Sequence, residues 1–225
     1  MIKRLILSLI VAVLTIGAYA QEADYYRMEI GGGLGVWNYL GDFNGNLLKG
    51  FQPQLSAIWK YLPNERMAIK ADFSYGNVKG EASNAKGYIP EELKGYEFKT
   101  TLYDLSAMFE YNFWRHGMSG DYRHLQRLVP YITLGIGGTF IHYEGENKGA
   151  LCFPIGFGAK YKIAERLNFG AEWTMHFSTS DFIDGEQDYH GIKSEGLFKN
   201  TDGFGQLKLY LTYSFMAKCR QCNNQ

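Results

Sequence analysis

The polar side chains of residues 172–178 have the residue types that hydrolysis needs. Glu172, His176 and Ser178 lie at even spacings, so on a strand all three would point to one face. An acid, a base and a hydroxyl nucleophile within reach of one another are the groups used in acyl transfer. The sequence contains neither a G-x-S-x-G elbow nor an H-E-x-x-H pair, so the set has the residue types of a hydrolase but not its motifs.

A second chemically active group lies near the end of the chain, where Cys219 and Cys222 form a C-x-x-C. Two thiolates are half of the four ligands that structural zinc takes. A thioredoxin-like redox pair would need a βαβ context, which is missing here. Three alternatives remain: a local disulfide, a metal site completed by a partner, or a bond to another protein. The third cysteine, Cys152, begins a predicted strand and is expected to be a small side chain only.

The segment 114–128 is basic. It has a single acid, Asp121, and these cations: Arg115, His116, Arg123, His124 and Arg127. Runs of charge are usually solvated faces, so an ordinary solvated turn is the simpler interpretation. The alternative is a docking surface for a periplasmic partner, to which the three arginines would contribute.

The elements that position these groups follow an export signal. Two basic residues precede a short apolar run over 5–16, and a small-x-small pattern ends at Ala20. The run is shorter than the ~20 residues that a spanning helix needs. Gln21 stands where a lipoprotein would carry cysteine. We predict a cleaved signal peptide over 1–20 and export of the remainder.

Composition and charge exclude several classes of protein. The chain has 225 residues, with 23 Lys and Arg against 23 Asp and Glu, whereas a nucleic-acid binder normally has a basic excess. With 46% apolar residues and only 5 Pro, disordered and collagen-like chains are excluded. An aromatic content of 16% and 27 Gly favour an all-β fold.

Alternation with a period of two runs through the mature chain. In residues 51–61, apolar side chains occupy the odd positions and polar ones the even positions, with Ile58 the single exception. A strand separates two such sets, whereas a helix scatters them. Each segment is about as long as the ~9–11 residues that cross a membrane at a tilt. The pattern predicts eight strands, over 26–39, 51–61, 67–75, 103–113, 130–143, 151–163, 167–177 and 207–215.

The two faces of these strands distinguish a membrane barrel from a soluble, lipocalin-like one. Aromatic residues recur towards the strand ends of the apolar face, as in interfacial girdles. The polar face mixes both signs of charge, which suits a narrow lumen filled by ion pairs, at Glu29, Lys60, Lys70, Asp72, Asp104, Glu110, Lys160, Lys162, Glu172 and Lys208. We predict an all-β, eight-stranded antiparallel up-and-down transmembrane β-barrel over 21–215. It would lie in the outer membrane with both termini periplasmic, and a periplasmic tail would occupy 216–225.

The predicted connections alternate in length. Those after the second and sixth strands are tight turns, and those after odd strands are longer, at 41–50, 77–97, 144–150 and 178–205. Short periplasmic turns and longer external loops are the outer-membrane arrangement. An eight-stranded interior leaves space only for side chains, which argues against a general pore and makes polar lumen residues the default. We therefore predict no catalytic residue, no cofactor and no metal ion.

The first strand resembles that of a known family. Residues 29–42, EIGGGLGVWNYLGD, are similar to the pattern E-x-G-x-x-x-G-x-x-N-Y-x-G-D that opens PorG-like barrels. Residues 130–137 and the cysteine-containing tail are similar as well. PorG-like proteins belong to the type IX secretion system of Bacteroidota. The resemblance implies a non-enzymatic outer-membrane component that associates with a periplasmic ring formed by a PorK-like lipoprotein and its PorN-like partner. The family supplies no catalytic or ligand residues.

Three functions follow as hypotheses. The first is an anchor for that secretion complex, in contact with lipid and the ring proteins but not nucleic acid. Its partner-binding residues would be Cys219, Cys222, Arg115, Arg123 and Arg127. The second is a stand-alone OmpA/OmpX-type barrel that acts in adhesion or envelope integrity through loops 77–97 and 178–205. The third is a lipid-modifying enzyme, in which replacing His176 by alanine would abolish activity without unfolding the barrel.

Overall fold

Eight antiparallel strands close on themselves in the computed structural model, because β1 pairs with β8 as well as with β2. The structure describes residues 25–40, 50–81, 97–118, 125–143, 146–179 and 203–218. The predicted all-β, eight-stranded up-and-down barrel is confirmed. The strands are β1 (Tyr25–Leu40), β2 (Gln52–Asn64), β3 (Met67–Glu81), β4 (Glu97–Asn112), β5 (Leu128–Tyr143), β6 (Glu146–Lys162), β7 (Leu167–Ser178) and β8 (Gly203–Lys218).

The two edges of the barrel differ. We call the edge that carries connections 65–66, 113–127 and 163–166, together with Tyr25 and Lys218, the turn edge, and the opposite edge the loop edge. Both predicted tight turns are present: Arg66 N–H donates to Asn64 Oδ1 after β2, and backbone hydrogen bonds close the turn after β6. In outer-membrane barrels the turn edge faces the periplasm.

The connection predicted over 144–150 is wrong. The β5–β6 ladder continues to the pair Tyr143 and Glu146, so residues 146–150 are strand. Their polar composition resembles a loop, but a strand that extends beyond the lipid keeps its backbone pairing without needing apolar side chains. The ends of two other predicted loops are wrong for the same reason, because residues 77–81 and 203–205 are paired strand. Residues 41–49, 82–96 and 180–202 lie outside the described residues.

The outer face of the barrel is apolar and the lumen is charged. Outward side chains are strongly exposed, as at Leu34 (68%), Leu134 (57%) and Phe157 (59%). All ten charged side chains of the predicted polar face are buried, none more than 8% exposed. Ion-filled interiors and apolar exteriors invert the soluble arrangement, so this surface contacts lipid. The protein is an outer-membrane type of β-barrel. Among the described residues, no helix is long and apolar enough to cross a bilayer.

Two tyrosine rings fill the centre of the lumen. Tyr131 and Tyr210 pack there with Ile58, an apolar residue on the polar face of β2. Glycines opposite the rings make this possible: a Cβ atom on Gly170 would lie 2.3 Å from the ring of Tyr210, and one on Gly158 would lie 2.6 Å from that of Tyr131. The glycines at 158 on β6 and 170 on β7 therefore leave the room that the aromatic core occupies.

Candidate functional site

The first hub of the lumen is Glu110 on β4. One carboxylate oxygen accepts from Lys60 Nζ at 2.7 Å and the other from Lys160 Nζ at 2.5 Å. All three side chains are 0–1% exposed. The two lysines come from β2 and β6, so this one carboxylate connects three strands across the lumen.

The second hub is Glu172 on β7. It accepts from Lys70 Nζ at 2.5 and 2.6 Å, from Lys208 Nζ at 3.1 Å and from the Tyr131 hydroxyl at 2.8 Å. Lys208 also contacts Asp72. Each buried carboxylate is thereby matched to several donors, which is the condition under which buried charge is tolerated.

The tyrosine rings join the two hubs. The hydroxyls of Tyr131 and Tyr210 are 2.9 Å apart, and Lys60 Nζ lies 4.7 Å from the centre of the Tyr210 ring, in a cation–π contact. Lys60 Nζ is also 3.4 Å from the Tyr210 hydroxyl. The central ions and rings thus form one connected network that fills the lumen from wall to wall, as expected of an eight-stranded barrel.

A smaller polar layer closes the lumen at the turn edge. Glu29 accepts from Asn168 Nδ2 at 3.0 Å, and Asn168 Oδ1 accepts from Lys162 Nζ at 3.2 Å. The same amide oxygen lies 3.1 Å from His116 Nε2, so that nitrogen carries the proton. His116 Nδ1 is buried without a hydrogen-bond partner among the described residues. Burial, together with Lys160 and Lys162, holds the pKa of His116 well below its ordinary value of 6.5.

The candidate hydrolytic set of residues 172–178 does not assemble. Glu172 belongs to the central network, and the acid beside His176 is Asp104 on β4, with His176 Nδ1 3.5 Å from Asp104 Oδ2. His176 Nε2 faces Thr174 Oγ1 at 3.3 Å. Ser178 is buried on the same face of β7. Even spacing places these side chains on one face, but Glu172 and His176 have different partners in different layers of the lumen.

Cys152 is more than the small side chain that its position suggested. Its Sγ lies 3.3 Å from Asp104 Oδ2 and 3.9 Å from His176 Nδ1, and it is fully buried. Because Phe153 faces the lipid and neighbouring residues on a strand point to opposite faces, alternation alone predicts that Cys152 faces the lumen. Its neighbours could not be predicted, because Asp104, Cys152 and His176 come from three different strands.

The basic segment forms part of the turn edge. Arg115 is half exposed, with its Nε 3.7 Å from Glu65 Oε2, and Arg127 is exposed. Backbone hydrogen bonds hold the base of the segment: Gln126 N–H donates to the Arg115 carbonyl at 2.8 Å, and Lys162 N–H donates to that of Arg127 at 2.9 Å. Beside it is a groove of about 580 Å³, lined by Asn64, Glu65, Arg66, Met67, Tyr111 and Arg115.

Three predicted partner-binding residues, Arg123, Cys219 and Cys222, lie outside the described residues. The predicted signal peptide over 1–20 does so as well. The two described arginines are on the same edge, at which the described chain begins and ends. This edge therefore brings together the described part of the predicted docking surface.

Solved structures of small outer-membrane proteins have a similar fold. The outer membrane protein OprG from Pseudomonas aeruginosa matches with a TM-score of 0.50 and 12% identity, over 86% of this chain and 98% of that chain. Neisserial surface protein A matches with a TM-score of 0.49 and 12% identity, over 84% and 97%. A major outer membrane protein from Thermus thermophilus matches with a TM-score of 0.48 and 12% identity, over 84% and 98%. At such identities the likeness concerns the fold alone.

Sequence comparison places the chain in one family. No curated protein matches the chain. One family model matches residues 3–224, which is nearly the whole length of this chain. The chain with this barrel and ion-filled lumen therefore belongs to the family described as Domain of unknown function (DUF6089).

Proposed function

We propose that the protein is a closed, non-enzymatic outer-membrane scaffold. It acts as a stand-alone small barrel through the connections at its loop edge. The observation that carries this proposal is the filled lumen. Glu110, Glu172 and the two tyrosine rings connect opposite walls. Among the described residues, these paired ions and rings occupy the middle of the lumen, where an eight-stranded barrel has space only for side chains.

The separation of the candidate hydrolytic residues supports the non-enzymatic part of the proposal. Glu172, the acid expected to orient His176, is held by Lys70, Lys208 and Tyr131 instead. The contacts that serve adhesion or envelope integrity would then be made at the loop edge. Residues 82–96 and 180–202 are the long connections at that edge.

Conductance and loop replacement test this proposal. We expect the purified barrel to give no stepwise ion conductance in planar bilayers. Replacing 82–96 and 180–202 by short turns should abolish cell adhesion, or sensitise cells to large antibiotics, while the barrel still folds. A variant in which residues 119–124, within the long connection at the turn edge, are replaced by a short turn is the matched control. Steady channel openings, or unchanged adhesion and envelope integrity in the loop variant, would contradict the proposal.

A second candidate, an anchor for a type IX secretion complex, is favoured by one specific set of observations. The resemblance of residues 29–42 to PorG-like barrels is accompanied by exposed arginines and a groove at the edge that faces the periplasm in this class. In this candidate, Arg115, Arg123, Arg127, Cys219 and Cys222 would bind PorK-like and PorN-like ring proteins. The layout would be a signal peptide over 1–20, a barrel over 21–215 and a periplasmic tail over 216–225.

Affinity purification from detergent-solubilised outer membranes separates the two candidates. Recovery of a periplasmic lipoprotein ring in high yield would support the anchor, and recovery of the barrel alone under several mild detergents would exclude it. If the ring is recovered, the double variant Arg115→Glu/Arg127→Glu should lose it. Arg27→Glu, a charge reversal of another exposed arginine at the same edge, is the matched control and should retain it.

A further inference from the structure

Three side chains with different metal-binding atoms converge near the loop edge of the lumen. Asp104 on β4, Cys152 on β6 and His176 on β7 are each no more than 2% exposed, and their ligand atoms all lie within 4.8 Å of one another. We propose that this Asp104–Cys152–His176 cluster binds a tetrahedral divalent ion, Zn²⁺. The proposal is independent of the function assigned to the barrel edges.

The separations of the three ligand atoms fit tetrahedral zinc. Cys152 Sγ and Asp104 Oδ2 are 3.3 Å apart, His176 Nδ1 and Asp104 Oδ2 are 3.5 Å apart, and Sγ and Nδ1 are 3.9 Å apart. Zinc bond lengths of about 2.0–2.3 Å at the tetrahedral angle separate neighbouring ligand atoms by about 3.3–3.6 Å. To bind an ion, the ligand atoms therefore need to shift by only a few tenths of an ångström. This is about the amount by which the separation of Sγ and Nδ1 exceeds the tetrahedral range.

A chain of hydrogen bonds fixes which nitrogen of His176 faces the cluster. Ser74 donates to the Asp72 carboxylate at 2.9 Å and accepts from Gln206 Nε2 at 2.9 Å. Gln206 Oε1 accepts from Thr174 Oγ1 at 3.0 Å, so the Thr174 oxygen must accept from His176 Nε2–H at 3.3 Å. The Nδ1 atom is then the nitrogen that faces the cluster. Metal-binding histidines are oriented in this way by a hydrogen bond from the other nitrogen.

The other groups of the cluster are also held in place. Asp104 Oδ1 accepts from Ser106 Oγ at 2.6 Å, and Oδ2 accepts from Thr139 Oγ1 at 3.0 Å. The ring of Phe204 stacks on His176 with centroids 4.3 Å apart and planes at 17°. Supporting hydrogen bonds and packing of this kind preorganise a metal site.

Charge and ligand type select the ion. Thiolate, imidazole and carboxylate together suit zinc rather than calcium or magnesium, which prefer oxygen alone. A thiolate and a carboxylate cancel the charge of a divalent ion, so the occupied cluster is electrically neutral, as a buried site requires. Three protein ligands leave the fourth tetrahedral position for water, as in open zinc sites.

Metal loading of the full mature chain tests the proposal. The parent protein should carry Cys219→Ser and Cys222→Ser, because the C-x-x-C in the tail is itself a thiol pair that binds metal. After refolding from urea into detergent with ZnCl₂ and gel filtration, we expect one zinc per chain by elemental analysis. Loading with CoCl₂ should give the ligand-field bands of tetrahedral cobalt and a thiolate-to-cobalt charge-transfer band.

Single variants identify the ligands. Cys152→Ser, of nearly the same size, should remove the charge-transfer band and weaken zinc binding at least about tenfold, and His176→Gln should weaken it similarly. His116→Gln, at the turn edge, is the matched histidine control and should keep full zinc. A folded parent that holds no stoichiometric zinc or cobalt would overturn the proposal. So would full zinc retained in both ligand variants.

Discussion

Replacing Glu172 by glutamine tests whether the lumen network stabilises the barrel. Gln has the same shape but no charge. Lys70 makes both of its carboxylate contacts with Glu172, at 2.5 and 2.6 Å, so Glu172→Gln leaves this buried cation without its ion partner. Lys208 retains Asp72 and is affected less.

The expected loss of unfolding free energy follows from that geometry. Removing one partner of a fully buried ion pair costs about 3–5 kcal/mol, because the remaining charge is uncompensated. Adding a separate value for each hydrogen bond would overestimate the loss, since the amide oxygen of glutamine still accepts one or two of them. We therefore expect Glu172→Gln to destabilise the barrel by about 3–5 kcal/mol.

Urea unfolding in phospholipid vesicles, followed by tryptophan fluorescence and by heat-dependent migration in gels, measures this loss. The double variant Glu172→Gln/Lys70→Met removes both charges and should recover about 1–3 kcal/mol. Glu65→Gln removes the acid of the half-exposed Arg115 pair and should change stability by less than about 1 kcal/mol. A loss below about 1 kcal/mol for Glu172→Gln, or no recovery in the double variant, would contradict a stabilising role for the lumen network.

Three further predictions concern the wall, the turn edge and the core. Leu134→Arg, in the middle of the lipid-facing surface of β5, should cost about 2–4 kcal/mol in vesicles, whereas Leu128→Arg at the strand end should cost about 0–1 kcal/mol. Because the pKa of His116 is depressed, the unfolded chain binds the proton more tightly, so unfolding free energy should fall as pH drops below about 6.5, by up to about 1.4 kcal/mol per unit. His116→Asn should lack that part of the slope. Gly170→Ala should cost about 1–3 kcal/mol by displacing a central tyrosine ring.

Each of these predictions has its own contradicting result. Equal losses for Leu134→Arg and Leu128→Arg, in the same vesicles, would mean that the β5 surface is not at lipid depth. Equal slopes of stability against pH for wild type and His116→Asn between about pH 5 and pH 8, a range that includes the ordinary histidine pKa, would contradict the neutral state of His116. Gly138→Ala is the matched glycine control, since its added Cβ atom meets only Phe140 at 3.6 Å. Losses equal to those of Gly170→Ala would refute the close-packing argument.

The sequence could not predict which charged side chains of the lumen pair with one another. Lys70 and Glu172 are 102 residues apart, and Lys60 and Glu110 are 50 apart. Five basic and five acidic positions allow many pairings, and only the register of each ladder selects one. The same holds for Tyr131 and Tyr210, whose meeting depends on glycines on two other strands.

The amino-acid pattern predicted eight strands, their closure into an antiparallel barrel and the two faces of each strand, and the aromatic girdles with the export signal indicated which face meets lipid. The two faces follow from local geometry. Successive side chains on a strand point to opposite faces, so each residue can be assigned to one face or the other from its position in the sequence. Ile58, the exception to the alternation, is buried where alternation places it. Three facts needed the folded barrel: that Asp104, Cys152 and His176 meet, that Glu172 pairs with Lys70 rather than His176, and that β6 begins at Glu146. Those facts depend on the register and closure of the barrel, which bring distant strands together by packing and pairing that no local pattern encodes.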